Sequence, residues 1–484
     1  MQQFAPAKPP RRGLGLVAIA VPVAAAGLLF GCGGPADDAR PKAADKPFAG
    51  AALTVGCPDA RLAAVLGPMA RAWAARTGAT VEVLPPAAAD RAAVGVVPFA
   101  DLGGPAARGE LLPVPAALKE PAHPYQWSGV LAAYRGEPFA GWGSQVFGLP
   151  LAGDGAVLVY RADLFARAKR AAPATWEDLA DAAAFFAARD KKPSLPPLPT
   201  DPARLVALVS QVAACYDRPA RGDATDGGAD TLAFQFRLDD ARPRLDAPAF
   251  ARAAGWLADL KTRGCVGDGP PDPVAALVEN RAVAAVLTFD ELARLKVGSK
   301  MDARYAAAPL PGTRGYADPK SGQLVAGGGA NFVPHFAGGW LGVVRKSCDA
   351  PDAAFDLLAD LGGPVRSAEL IAATGYGPFR DAHLDRDRPV VWLGYGFDPD
   401  GTKTLVDAAR GFVGKAVRNP TYGLRGPDHA ALTVALADEL KTIAAGEVAP
   451  AAGLARVVEA WEKAGAGTPA DTLKEWRRRA VGLN

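Results

Sequence analysis

Three aspartates stand just past short apolar runs: Asp59 after LTVG (53–56), Asp101 in PFADLGG, and Asp290 in TFDE. A carboxylate at the end of a strand accepts hydrogen bonds either from the hydroxyls of a solute or from the first amides of a following helix. Sequence alone leaves both uses open for each of the three. Trp340 follows Gly338 and Gly339, which leave room for an indole to face a cleft and stack on the C–H face of a ring. No reaction centre accompanies these groups. GxSxG, HExxH and GxxxxGK(S/T) patterns are absent, and GFVGK at 411–415 lacks both the spacing and the hydroxyl residue. GLGLVA at 13–18 meets a dinucleotide pattern only within an apolar leader. Carboxylate pairs for glycoside hydrolysis need a separation of ~5–9.5 Å, which sequence spacing does not supply. Four histidines and no CxxC or Cys/His metal spacing give no expectation of a metal or cofactor.

The elements that must position these residues are legible as periodicities. Residues 53–56 read as a buried strand; Leu62, Val65, Leu66, Met69 and Trp73 then recur at helical spacing until Gly78, and TVEVL (80–84) alternates as a second strand. A strand-helix-strand opening of this kind implies a parallel sheet. Thr175 and Asp178 form a capping-box pattern ahead of WEDLADAAAFFAAR, whose Leu179, Ala183 and Phe186 share one face. KKPSLPPLPTDP (191–202) reads as a surface loop, while 282–289, 305–312 and 338–344 read as strands. Pro351 opens a helix with Phe355, Leu358 and Leu361 inward. Asp428 is placed to cap a helix through Leu432, Leu436, Leu440 and Ile443, and Leu454, Val457, Val458 and Trp461 mark the next. Trp73, Trp176, Trp256 and Trp461 fall on apolar faces and are expected in the core. At 484 residues the chain exceeds one hydrophobic core, so two or three packed units are expected. The 54 basic and 51 acidic residues leave +3, without a basic stripe, which argues against a nucleic-acid partner.

The N-terminus carries its own chemistry. Arg11 and Arg12 precede an uncharged apolar stretch, Leu14 to Phe30, which ends in Gly31-Cys32. This resembles the bacterial lipoprotein signal, with residues 1–31 removed and Cys32 acylated as the membrane anchor. An uncleaved membrane span is the other reading of a run of that length. The paired arginines fit twin-arginine export poorly, since Leu14 is followed by Gly15. Small, charged and proline residues make 32–49 a tether. Cys57, Cys215, Cys265 and Cys348 remain; they allow three pairings, of which Cys215 with Cys265 is the favoured one, and buried free thiols are the competing reading.

The order of motifs resembles the family 1 extracellular solute-binding proteins, receptors of ABC importers for sugars and related solutes. The resemblance rests on GLPLAGDGAVLVYRADLF followed by ATWEDL, together with the opening LTVGCPDARLAAVLGPMARAWAARTGATVEV, ARGELLPV, AAVLTFDEL, YAAAPLPG, GGWLGVVRKS and the closing TYGLRGPDHAALTVALADELKTIAAG. It spans roughly 50–465 and implies an α/β, two-lobe, periplasmic-binding-protein-like (type II) fold with an interlobe cleft. On that pattern lobe one combines 50–151 with 289–339, lobe two combines 152–288 with 340–465, and 466–484 is a C-terminal tail. The resemblance further implies that Trp340 is an aromatic platform. Tyr422 with Arg425, and Tyr376 with Arg380, then stand in cleft-lining segments, and Trp142 lies beside the first crossing. Partners follow as a small solute, expected to be a sugar, permease subunits, and the membrane through Cys32, with the receptor a monomer. A ligand-binding module of a sensor or surface complex and, last, a glycoside-acting enzyme are the alternatives. Two departures bear on the solute: VGVVPF carries no aspartate, and Val286 stands where relatives have methionine.

Overall fold

The computed structural model describes residues 46–220, 232–298, 304–318, 320–387, 390–394, 396, 399–414 and 419–484. The signal-like segment and Cys32 lie outside the described residues. Among those described, no helix is long and apolar enough to cross a membrane.

Two sheets organise the chain. The first has the order Thr80–Val83, Ala52–Gly56, Val94–Pro98, Trp340–Val344, Gly148–Ala152. Its first three strands run parallel, and Trp340–Val344 runs antiparallel to both its neighbours. The second sheet is antiparallel, with Ala156–Arg161 between Ala284–Thr288 and Tyr305–Ala308. Each sheet heads one lobe of a type II binding-protein fold.

In the first lobe, helix Ala60–Thr77 starts where Asp59 accepts from the Leu62 amide at 2.6 Å and stops at Gly78, whose φ of 83° only glycine adopts without strain. Its buried Trp73 donates to Asp356 at 2.7 Å, tying it to helix Pro351–Gly362. In the second lobe, Thr175 and Asp178 close the capping box that opens Trp176–Asp190, through bonds of 3.0 and 3.1 Å. Trp176 and Trp256 meet edge to face at 5.2 Å, and the Trp256 indole donates to the Trp176 carbonyl at 3.0 Å. The four tryptophans expected in the core are buried there.

Several expectations are corrected. Tyr305–Ala308, expected in lobe one, pairs with Ala156–Arg161 in the second sheet. Trp340–Val344, expected in lobe two, is interior to the first sheet, and helices Pro351–Gly362 and Arg366–Thr374 pack on Ala60–Thr77 beside it. An all-apolar strand carries no mark of which sheet it enters, because both faces are covered in either. The tail beyond 466 is a helix, Ala470–Ala480, packed on Gly103–Ala107 and Gly141–Trp142. Cys215 and Cys265 are free and buried, as are Cys57 and Cys348. The Cys215 thiol instead sits against Val333 and Gln211, each at 3.5 Å, so polar neighbours inside its own lobe occupy the place of a sulfur partner. Burial lifts that thiol to about 12, away from the thiolate that exchange chemistry needs. Asp428 makes no capping bond to its helix and pairs with Arg477.

Between the sheets the chain passes at 153–155 and again at 337–339. One carboxylate joins the two passages: Asp154 accepts from the amides of Ala337 at 2.7 Å and Gly338 at 2.8 Å, and from its own neighbour Gly155 at 2.7 Å. A Cβ on Gly338 would stand 2.8 Å from that carboxylate, so the approach requires glycine. Gly153 donates to the Gly377 carbonyl at 2.9 Å, which lays a third segment along the hinge.

Candidate functional site

The seam between the lobes gathers four of the nominated residues beside the hinge. Asp59 follows the strand Ala52–Gly56 of the first sheet, and Arg61 lies in the first turn of the helix that Asp59 caps. Tyr376 follows the left-handed Gly375 that ends helix Arg366–Thr374, and Trp340 begins its strand next to the second passage. From the other lobe, Asp290 stands in the first turn of helix Phe289–Gly298. The Arg61 guanidinium lies 4.3 Å above the centre of the Tyr376 ring and reaches Asp290 across the seam at 3.4 Å. Asp290 also accepts from the Thr288 hydroxyl at 2.6 Å. The Trp340 and Tyr376 rings are 6.0 Å apart, inclined at 58°, and both are half-buried.

Two flat apolar faces, two carboxylates and one guanidinium thus converge. Burial raises the Tyr376 hydroxyl to about 12 against the lowering pull of Arg61, and Asp59 adds to the rise, so it stays a protonated donor at neutral pH. Burial works against the charge on Arg61, but Tyr376, Asp290 and Asp59 outweigh it and hold the guanidinium protonated. Such a set can stack a ring and bind its hydroxyls through planar groups. Among the described residues no cluster of three or more His, Cys, Asp or Glu could hold a metal.

The other nominated residues lie elsewhere. Arg380 is buried and donates to the carbonyls of Gly362 at 2.7 Å, Tyr125 at 2.6 Å and Gln126 at 3.2 Å, so it fastens lobe one and has no face toward solute. Trp142 is 3% exposed and packs under Gly103 in the lobe-one core. Asp101 is half-exposed and meets His429 at 2.9 Å. Tyr422 stacks on Phe336 at 5.7 Å, and its hydroxyl donates to the Ala133 carbonyl at 3.3 Å. The buried Arg425 spends both terminal nitrogens on the carbonyls of Pro138 and Gly141 and lies 4.8 Å over the Phe99 ring. Tyr422, Arg425 and His429 line a separate crevice of about 590 Å³, walled by Phe234, Phe236 and the C-terminal helix. A larger crevice of about 720 Å³ lies under Pro196–Pro199 in lobe two; its walls are apolar apart from Arg204 and Glu291, which bind each other at 2.6 Å.

Sequence reading missed Arg61, Thr288 and Asp154. Arg61 lies two positions after a cap and looks like any exposed first-turn residue. Asp154 carried a signal in GDG, a carboxylate between glycines where two apolar runs break.

With this geometry in view, comparison with known proteins is informative. The family model for bacterial extracellular solute-binding proteins matches residues 71–391. No curated protein matches in sequence. Among solved structures, the GacH receptor of Streptomyces glaucescens, in its unliganded form and in complex with acarbose, is similar with a TM-score of 0.58 at 16% identity, over 86% of this chain and 98% of that one. A cyclic α-maltosyl-1,6-maltose binding protein from Arthrobacter globiformis is similar with a TM-score of 0.60 at 15% identity, over 85% and 98%. An ABC transporter solute-binding protein from Agrobacterium radiobacter, in complex with ribitol, is similar with a TM-score of 0.60 at 18% identity, over 86% and 100%.

Proposed function

Because the chain belongs to the bacterial extracellular solute-binding proteins, we propose that it receives a small carbohydrate between its lobes and delivers it to the permease subunits of an ABC importer. The observation that carries this reading is the seam cluster, in which Asp59 and Arg61 of one lobe and Asp290 of the other surround the Trp340 and Tyr376 rings. A sugar ring stacked on the indole would take hydroxyl bonds from both lobes, and contact with both is what favours the closed form over the open one. The carbohydrates and polyol named for the similar proteins support the same solute class. The two carboxylates are engaged with the Leu62 amide and with Thr288 and Arg61, an arrangement for holding a ligand rather than for attacking one. The receptor acts as a monomer outside the cytoplasm, tethered through an acylated Cys32.

A thermal-shift screen of the full-length protein against mono- and oligosaccharides, polyols, sugar phosphates and amino acids tests the solute class. A carbohydrate at about 100 times its dissociation constant adds roughly 2.7 kcal/mol of stability. Stabilisation by amino acids, with none from any carbohydrate or polyol, would overturn the reading. The tether is tested by labelling cells with a palmitate analogue: label on the wild type that vanishes in Cys32→Ala supports acylation, and label retained on the variant refutes it.

A further inference from the structure

The crevice beside Tyr422 contains polar groups that the seam cluster does not use. It lies between the loop 232–238 of lobe two, the segment 420–432, and the end of the C-terminal helix. Three of its lining side chains, each at least nine-tenths buried, keep an N–H with no hydrogen-bond partner among the described residues: Gln235 through Nε2, Arg425 through Nε and Arg477 through Nε. A buried donor left unsatisfied is costly, and three around one crevice call for acceptors from beyond the described residues, such as a ligand can bring.

The charges sharpen the class of ligand. Arg477 is paired with Asp428 at 2.8 Å, and His429 with Asp101 at 2.9 Å. Arg425 is 1% exposed, bonds through its terminal nitrogens to backbone carbonyls, and among the described residues pairs with no carboxylate. A buried guanidinium without a counter-ion favours a negative charge beside it. Phe234, Phe236 and Leu424 supply apolar wall for the rest of such a molecule.

We propose that this crevice is a second ligand site, distinct from the Trp340–Tyr376 cluster, for a small polar molecule bearing an oxyanion, received by the free N–H groups of Gln235, Arg425 and Arg477. The oxyanion belongs to a carboxylate or to a phosphoryl group, two sources with the same acceptor chemistry.

Isothermal titration of the full-length protein with D-glucuronate, glucose 6-phosphate and inorganic phosphate, with D-glucose as the uncharged control, tests the site. Binding of glucuronate assigns a carboxylate, and binding of glucose 6-phosphate or phosphate assigns a phosphoryl group; either supports the proposal provided D-glucose does not compete. Gln235→Glu, which removes the Nε2 donor and sets a negative charge at the site, is expected to weaken the oxyanion at least tenfold. Gln235→Leu, which removes the donor without adding charge, is expected to weaken it about threefold or more. Trp340→Ala leaves this binding unchanged, which separates failure here from failure of the sugar reading. No binding of any of the three oxyanions, or equal binding by wild type and Gln235→Glu, overturns the proposal.

Discussion

Replacing Asp154 by alanine removes the carboxylate that joins the two passages between the lobes. Its bonds to the Ala337 and Gly338 amides, at 2.7 and 2.8 Å, are made by a charged acceptor, and such bonds contribute about 1.5–3 kcal/mol each. Two give an upper bound of about 3–6 kcal/mol; Asp154 is half-buried, so water replaces part of what is lost, and about 2–4 kcal/mol is expected. Asp154→Asn keeps one oxygen able to accept from both amides but turns an N–H₂ toward the Gly155 amide, donor against donor, and is expected to cost about half as much. Equilibrium urea unfolding of wild type and both variants measures the difference, and sugar affinity measured on the same samples reads the effect on closure. The order wild type, Asn, Ala in stability is the expected result. A loss below about 1 kcal/mol in Asp154→Ala would refute the hinge role, because water would then replace the carboxylate fully.

Trp340→Ala is expected to weaken sugar binding by about 1–3 kcal/mol with little change in melting temperature, since the indole is half-buried; a loss of about 3–5 kcal/mol in folding stability with affinity unaltered would move Trp340 to the core. Gly338→Ala is expected to imitate Asp154→Ala in unfolding experiments, because the added Cβ would stand 2.8 Å from the carboxylate. Acid stability has a signed expectation. Burial holds His335 down to about 3, and burial with the Arg380 charge does the same to His383, so below the unfolded value of about 6.5 the unfolded chain takes up protons that the folded chain refuses. Each group then removes up to about 1.4 kcal/mol per pH unit, together about 2.7, and a flat urea-unfolding profile between pH 6.5 and 5 would contradict this. His429 acts oppositely: burial disfavours its charge, but Asp101 and the Gly426 carbonyl outweigh that and raise it. Its contribution is therefore present below about pH 6.5 and lost as pH rises through the raised value. With Asp101 half-exposed it amounts to less than about 1 kcal/mol, and His429→Gln should remove that slope.

Local signals in the sequence translated well where the physics is local. Thr175 and Asp178 form the capping box that their spacing announces, and Asp59 caps its helix, one of the two uses open to it. Residue type did not reveal burial: Arg380, Arg425 and Trp142 have the chemistry of a sugar site but are taken up by backbone carbonyls and core packing, contacts made by residues far away in the chain. Sheet membership was hidden for the same reason, since Trp340–Val344 could line either core and only its pairing with Val94–Pro98 decides. Arg61 became visible as a seam residue only once Asp290 and Tyr376 were placed opposite it, 229 and 315 positions away.

Closure on solute is tested most directly by small-angle scattering of the full-length protein with and without a sugar identified by the stability screen. The Arg61–Asp290 pair is 3.4 Å long with side chains 39% and 35% exposed, and an ion pair that open to solvent contributes about 0–1 kcal/mol, too little to hold two lobes together unaided. The unliganded protein should therefore sample open forms and show the larger radius of gyration, and saturation with sugar should reduce it. An identical radius at saturation, with binding confirmed on the same sample, would contradict solute-driven closure and make the seam a rigid site.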